Sequence, residues 1–495
     1  MTVQPALNPS ATLADTAIVL TLGADRAGNT PPSAVLTAAA VSGARARAGF
    51  VPTAKAEPVP TCPADDRPAC SPPAAARLDH ILRTNDKELL EEWARLANAA
   101  ARRAPANLVA SMLHHAIGTP FRPNPIFDCL GARGPWLASL DPRYAPRLRP
   151  TQSDTAPEEI WHTGVPADRL QVLRQLRNTD PAAALELVRS TWKADAAAER
   201  ANLVQAMSIG LGPDDEAFLE SVLDDRSKGA RRAAAELLAD LPGSAYQARM
   251  TERLTAMLRI DKPKLTLKRT PRLTLEPPAA FDPAWERDAI EPKPPAGTGE
   301  RAWWLGQIIT LAPLATWESI TGLDPQNVID ALRSDDFVGT ADDAILANLT
   351  RRPIAEWIAP VAGVEFARKD TRLHLLTSLW IGLPLADAEG ALMPLLDRDK
   401  VPPQQILALL FSAGWAWNPA FSRSALQAAN KHRKAAQGDE YLVRSWLWGI
   451  AGRIHPSTLD AFETLVKAMY PELTPKAFET LERARFRAEM HKEFA

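Results

Sequence analysis

The chain carries few residues whose type and spacing could do chemistry, and most of them sit beside helix ends. Asp224-Asp225-Arg226 lies between two apolar stripes and is followed by Ser227. Carboxylates at a helix N-terminus are favoured by the helix dipole, so the first expectation is capping, with Arg226 holding a neighbouring helix. The functional alternative makes Asp225 and Arg226 part of a polar ladder on a binding face. Gly131-Ala132-Arg133-Gly134-Pro135-Trp136 reads as a tight turn whose Arg133, with Trp136 close by, is placed to meet an anion. No Gly-Lys-Ser/Thr follows it, so it is not a phosphate-binding P-loop, and a structural turn is the plainer expectation. His114 and His115 are adjacent and point about 100° apart on a helix, which does not suit a shared metal ion. Asp335-Asp336 and Asp342-Asp343 fall near helix starts, where capping explains them better than acid–base catalysis.

Basic clusters occur at Arg143/Arg147/Arg149, at Lys262 to Arg272 and at Lys431/Arg433/Lys434. In the second, Lys268 and Arg269 occupy an expected turn, where they could touch nucleic acid or an acidic protein; a solvated loop is the simpler expectation. Trp303 and Trp304 are adjacent and cannot both face one core, so one of them is expected at an exposed contact, a typical place for an interface anchor. The chain contains no HExxH, CxxC, GxSxG or nucleotide-binding glycine fingerprint. No catalytic residue, cofactor or metal is therefore assigned.

These residues are carried by 495 amino acids with 57 Lys+Arg against 59 Asp+Glu, a net charge of −2. That balance argues against bulk polyanion binding while permitting a local basic face. Cys62, Cys70 and Cys129 are too few for a disulfide scaffold or a four-thiolate zinc site, and are expected to be free thiols of a cytoplasmic, soluble protein. Thr16 to Leu22 is too short for a signal core or a membrane span.

The positioning elements are helices. Phe218, Leu219, Val222 and Leu223 stripe one, and Ala234, Leu237, Leu238 and Leu241 the next. After Pro242-Gly243, Ser244 caps a third with Met250, Leu254 and Leu258. Short helices with one apolar face must stack, which predicts an all-α, HEAT-like α-solenoid of antiparallel helix pairs. Four regions are expected: 1–150, helical with a Pro-rich connector over Val51 to Pro73; 155–260, the repeat block; 261–299, a β-hairpin insertion and Pro-rich linker; and 300–495, a C-terminal helical block. The hairpin is expected to pair Lys264–Leu267 with Arg272–Leu275. Trp446 and Trp448 are expected on a central apolar helix, and the charged helix Pro475 to Phe494 is expected to cap the array.

Several stretches together resemble an uncharacterised bacterial family of HEAT-like helical proteins, a domain of unknown function. They are Leu20 to Arg26, Gly131 to Ala138, Phe218 to Pro242, and Arg287-Asp288 through Pro294-Pro295 to Glu300-Arg301. The resemblance implies genes placed beside those for MoxR-type AAA+ ATPases, von Willebrand A (VWA) proteins and SWIM zinc-finger proteins, and it carries no catalytic residues. Taken together, the expectation is a non-enzymatic scaffold that holds a protein partner, with an AAA+ ATPase or VWA-type protein as the candidate and no membrane. Nucleic-acid binding ranks second and a HEAT-like DNA glycosylase third. The candidate contacts are Arg133, Trp136, Asp225, Arg226, Lys268, Arg269, Arg287, Asp288, Arg301, Trp303 and Trp304.

Overall fold

Helix starts in this chain are written in Ser, Thr, Asp and Pro, and the computed structural model places helices behind them. It describes residues 37, 40, 41, 43, 44, 59–116, 125–140, 157–261, 271–380, 383–396, 405, 409, 410, 413, 415–436, 440–470 and 474–494. The chain divides into two units, Met1–Ala64 and Asp65–Ala495, and the architecture below is that of the second.

It begins with α1 (Pro72–Thr84), α2 (Lys87–Ala99), α3 (Val109–Ala116), α4 (Pro125–Cys129) and α5 (Arg133–Leu140). Then come α6 (Pro157–Thr163), α7 (Pro166–Thr179), α8 (Pro181–Thr191), α9 (Ala197–Ala206), α10 (Glu216–Val222), α11 (Lys228–Asp240) and α12 (Ala245–Met257). Strands β1 (Leu258–Asp261) and β2 (Arg272–Leu275) follow. The chain continues with α13 (Glu300–Leu311), α14 (Ala315–Thr321), α15 (Pro325–Leu332), α16 (Val338–Arg351), α17 (Ala355–Phe366), α18 (Leu373–Ser378) and α19 (Leu385–Leu396). It closes with α20 (Pro419–Ala436), α21 (Glu440–Ala451), α22 (Leu459–Met469) and α23 (Pro475–Lys492).

The cap expected at Ser244 is in place, and others like it precede further helices. Asp180 accepts from Ala183 N ahead of α8, Ser244 from Gln247 N ahead of α12, and Asp324 from Asn327 N ahead of α15. Pro181 and Pro325 each sit in the first helical positions, where the missing N–H leaves nothing unpaired. Helices then pack mainly on near neighbours in sequence: α7 on α9, α9 on α11, α15 on α17, α17 on α19 and α19 on α20, while α13 reaches three helices ahead to α16. The apolar stripes become one continuous core from Trp161 to Ala484, including Leu219, Leu238, Met250, Trp317, Trp357 and Phe462.

The structure corrects or extends the sequence expectations in four respects. First, β2 is the expected strand, but its partner is Leu258–Asp261, in antiparallel register Leu258 with Leu275 and Ile260 with Leu273. The Lys264–Leu267 stretch lies outside the described residues. The earlier segment pairs because Leu258 leaves α12 directly in extended backbone, φ −96° and ψ 127°. Second, the 261–299 region, expected as an insertion and linker, packs against the helices. Leu273, Leu275, Trp285 and Ile290 are buried within the same core as the helices on either side.

Third, α23, the helix expected to cap the array, contributes to two cores. Met490 completes a second core with Leu78, Ile81, Leu90, Trp93 and Leu113 of the first helices, while Ala477, Leu481 and Ala484 belong to the main core. Fourth, Trp446 is buried in α21 as expected, but Trp448 is 45% exposed under the Arg483 guanidinium, 4.9 Å from its ring centre.

Candidate functional site

The clearest concavity is a cleft of about 700 Å³ between α11, α13 and α16, walled on one side by residues 286–298. Small residues make it: Ala302 and Gly306 of α13 face Thr340, Ala344 and Ala347 of α16. A Cβ at Gly306 would sit 3.4 Å from Thr340 Cγ2, an ordinary contact, so the two helices lie close here. Trp303 and Trp304 divide as adjacent helical positions must. Trp304 is 3% exposed and donates from Nε1 to Pro292 O at 2.8 Å, whereas half-buried Trp303 lines the cleft.

Charge inside the cleft is arranged by partner. Arg351 donates to Asp240 at 2.6 Å and to the carbonyls of Glu236 and Thr310. Burial raises the Asp240 carboxyl above its ordinary value despite the nearby Arg351 and Arg352. Asp343 is held by Arg368 and Arg372, both at 2.8 Å, and Arg232 by Glu236 at 3.0 Å. Other charges stay uncompensated. Arg231 donates to the Asp225 carbonyl at 2.7 Å but meets no carboxylate among the described residues. Lys228, Glu286 and Glu291 are exposed and have no ionic partner among the described residues. The cleft therefore shows a cationic lip on the first turn of α11 and an anionic one on the opposite wall.

The residues singled out from sequence fall into three groups. Asp224, Arg287 and Asp288 join one ionic cluster beside the cleft. Arg287 donates to Asp224 at 2.8 and 3.0 Å and to Glu220 at 3.2 Å. Buried Asp288 takes Arg249 at 2.8 Å and Arg253 at 2.6 Å. The hydrogen bond from Arg287 holds the Asp224 carboxyl below its ordinary range. Asp225 receives Arg200 at 3.0 Å and caps the turn by accepting from Ser227 N at 2.7 Å. Arg301 donates from Nε to Pro277 O at 3.0 Å, with its guanidinium 5.7 Å from the Phe337 ring centre. These are ties between segments, as is Trp304.

A second group is exposed and apart from the cleft. Arg226 and Arg133 point to solvent, and Trp136 is half-buried in α5. The turn before α5 is held by Asp65, whose Oδ2 accepts from Ala132 N at 2.8 Å. Gly131, at φ 66°, leaves room for that carboxylate, since a Cβ there would lie 1.9 Å from Asp65 Oδ2. Asp65 was not singled out because a sequence gives no sign of a partner 67 residues away. In the third group, Lys268 and Arg269 lie outside the described residues, while neighbouring Arg272 donates to Ser334 O at 2.9 Å.

The titratable candidates are likewise structural in geometry. Asp335 accepts from Phe337 N at 2.7 Å, as a cap does, and also from Leu275 N at 2.9 Å. Asp342 pairs with Arg333. The rings of His114 and His115 lie 6.1 Å apart at 80°. Cys70 and Cys129 are buried thiols, and burial pushes Cys129 up to about 12, where it is not a nucleophile.

Residues 4–494 match a family of unknown function, DUF5691. The chain belongs to that family. No curated protein and no solved structure matches it significantly. For this DUF5691 chain the cleft and the ionic cluster beside it are thus read from their own geometry. That geometry joins two of the stretches that carried the resemblance, since Arg287 meets Asp224 and Glu220. Sequence reasoning missed Lys228, Arg231, Glu286, Glu291 and Gln307. Gln307 lies one turn beyond Trp303 on the same helix face, a weak signal that was available.

Proposed function

We propose that this chain is a non-enzymatic interaction scaffold of the HEAT-like α-solenoid kind, which holds a protein partner in the α11–α13–α16 cleft. The packing order supports the solenoid part: stacked helices bury their one-sided faces against near neighbours in sequence. The contact of α23 with α2 departs from a purely nearest-neighbour array.

The observation that carries the protein-binding part is the pair of opposed charged lips. Lys228 and Arg231 attract an anionic group, but Glu286 and Glu291 across the cleft repel a continuous run of phosphates. A polypeptide carries both signs and a nucleic-acid backbone carries one. The remaining charged groups of the cleft are locked in ion pairs, an arrangement that suits recognition rather than proton transfer. An AAA+ ATPase or a VWA-type protein is the partner proposed from the resemblance.

Nucleic-acid binding stays second, favoured by Lys228, Arg231 and Arg232 on one helical turn. An affinity pull-down from native cell extract, with and without nuclease, separates the two. The scaffold reading expects a stoichiometric protein that survives nuclease and moderate salt. Loss of every partner on nuclease treatment, or steep release by salt, reverses the order.

A further inference from the structure

The wall of the cleft is itself a proline-rich run whose backbone is gripped by side chains. Arg301 donates to Pro277 O at 3.0 Å, the Tyr246 hydroxyl to Asp288 O at 2.8 Å, and Trp304 Nε1 to Pro292 O at 2.8 Å. Gln307 accepts from Glu291 N at 2.8 Å and donates to Glu291 O at 3.1 Å, as a neighbouring strand would. Helices α12 and α13 thus already hold polypeptide through its main chain, a mode that places few demands on sequence.

Beside that run the cleft stays open, and three features line its open side. The Trp303 ring lines it next to the apolar Ala302 and Leu311. Among the described residues, Lys228 and Arg231 present cations without a carboxylate, and Glu286 and Glu291 present carboxylates without a cation.

We propose that the cleft takes an extended, proline-containing segment of a partner protein, with an apolar ring on Trp303 and a short acidic motif at Lys228 and Arg231. This rests on the scaffold reading above and names what is held. A proline-containing segment fits because it is already extended before binding, which lowers its ordering cost, and because flat aromatic rings seat prolyl rings. The acidic motif follows from charge complementarity at the α11 lip. Glu286 and Glu291 keep that motif short, since a longer acidic run would meet them.

The test is fluorescence anisotropy with the full chain and three fluorescein-labelled probes. They are a decaproline peptide with a central Glu-Glu pair, its Lys-Lys counterpart, and a single-stranded oligothymidine. The acidic peptide should bind, and the Lys peptide should bind at least about tenfold more weakly. Lys228→Glu with Arg231→Glu should cost the acidic peptide roughly tenfold or more. Lys228→Glu alone, at an exposed residue without a partner, should act in the same direction with unchanged thermal melting. The proposal is overturned by no binding of the acidic peptide, by equal binding of the two peptides, by indifference to both variants, or by tighter binding of oligothymidine. Using Lys228→Glu protein in the extract pull-down separates the two levels. A partner retained equally by both proteins overturns the cleft assignment and keeps the scaffold. If the wild type captures no partner, the scaffold reading falls, and peptide binding is judged by the anisotropy alone.

Discussion

Buried guanidinium groups are the recurring residue-scale device of this fold. Arg177 is fully buried, with Asp215 held at 2.8 and 2.9 Å and the carbonyls of Pro181, Met207, Ile209 and Gly210 taking its other N–H bonds. Arg169 meets Asp195 at 2.9 Å, and Arg487 meets Glu92 at 2.6 and 2.7 Å. Arginine suits these sites because its planar fork satisfies several acceptors at once. Removing one partner of a buried pair strands the other, so Arg487→Ala should lower stability by about 3–5 kcal/mol in chemical denaturation. Burial raises the Glu92 carboxyl, but hydrogen bonds from His491 and Arg487 and the Arg487 charge outweigh it and bring it from 4.5 to about 2. A depressed carboxylate contributes stability that is complete above its unfolded value and fades as pH falls toward the folded one. The melting-temperature gap between wild type and Glu92→Gln should therefore be full above about pH 5 and shrink between 4.5 and about 2. A gap that stays constant through that range would show that Glu92 acts by packing alone.

At the scale of elements, caps and stripes were legible because they are local. Asp180-Pro181, Ser244 and Asp324-Pro325 mark helix starts within four residues, and the structure uses each one. The hairpin was half legible. Alternation in Arg272–Leu275 identified β2, with Leu273 and Leu275 buried and Thr274 facing outward. The similar-looking Lys264–Leu267 drew the pairing away from Leu258–Asp261, because the end of α12 runs straight into a strand with no turn residue between them. Inward and outward positions of β2 should respond differently. Leu273→Ala should cost about 2–5 kcal/mol through the cavity it leaves. Thr274→Ala should stay within about 0.5 kcal/mol, as surface changes do. Urea unfolding of both variants checks the register, and equal losses would contradict the pairing of Ile260 with Leu273.

For the whole molecule, the decisive element is α23. It lends Met490 to the core of the first helices and Leu481 to the main core. Its ionic ties reach back nearly the length of the chain: Arg487 to Glu92, Arg483 to Asp86 and Glu88, and Arg77 to Glu493 at 2.6 Å. Deleting residues from Pro475 onward should therefore loosen α1 and α2 far more than α11 and α12. Hydrogen exchange of the truncated protein should show protection lost over 72–99 and kept over 228–257. Loss spread evenly over both would mean that the second core depends on α23 no more than the first.

The sequence by itself determined the helical class, most helix boundaries between 166 and 258, one strand of the hairpin and the membership of a family without known function. Those properties depend on caps and periodicities that span one or two turns. Only the tertiary structure decided which charges are partners and which are free. Arg287 and Arg231 are both surface-patterned arginines in the sequence, yet the first closes on Asp224 while the second lines the cleft and meets only a backbone carbonyl among the described residues. Ion pairs form between residues tens to hundreds of positions apart, and no local pattern encodes that distance. For the same reason the cleft, which needs α13 against α16 and the 286–298 wall beside α13, came into view only when the helices were packed.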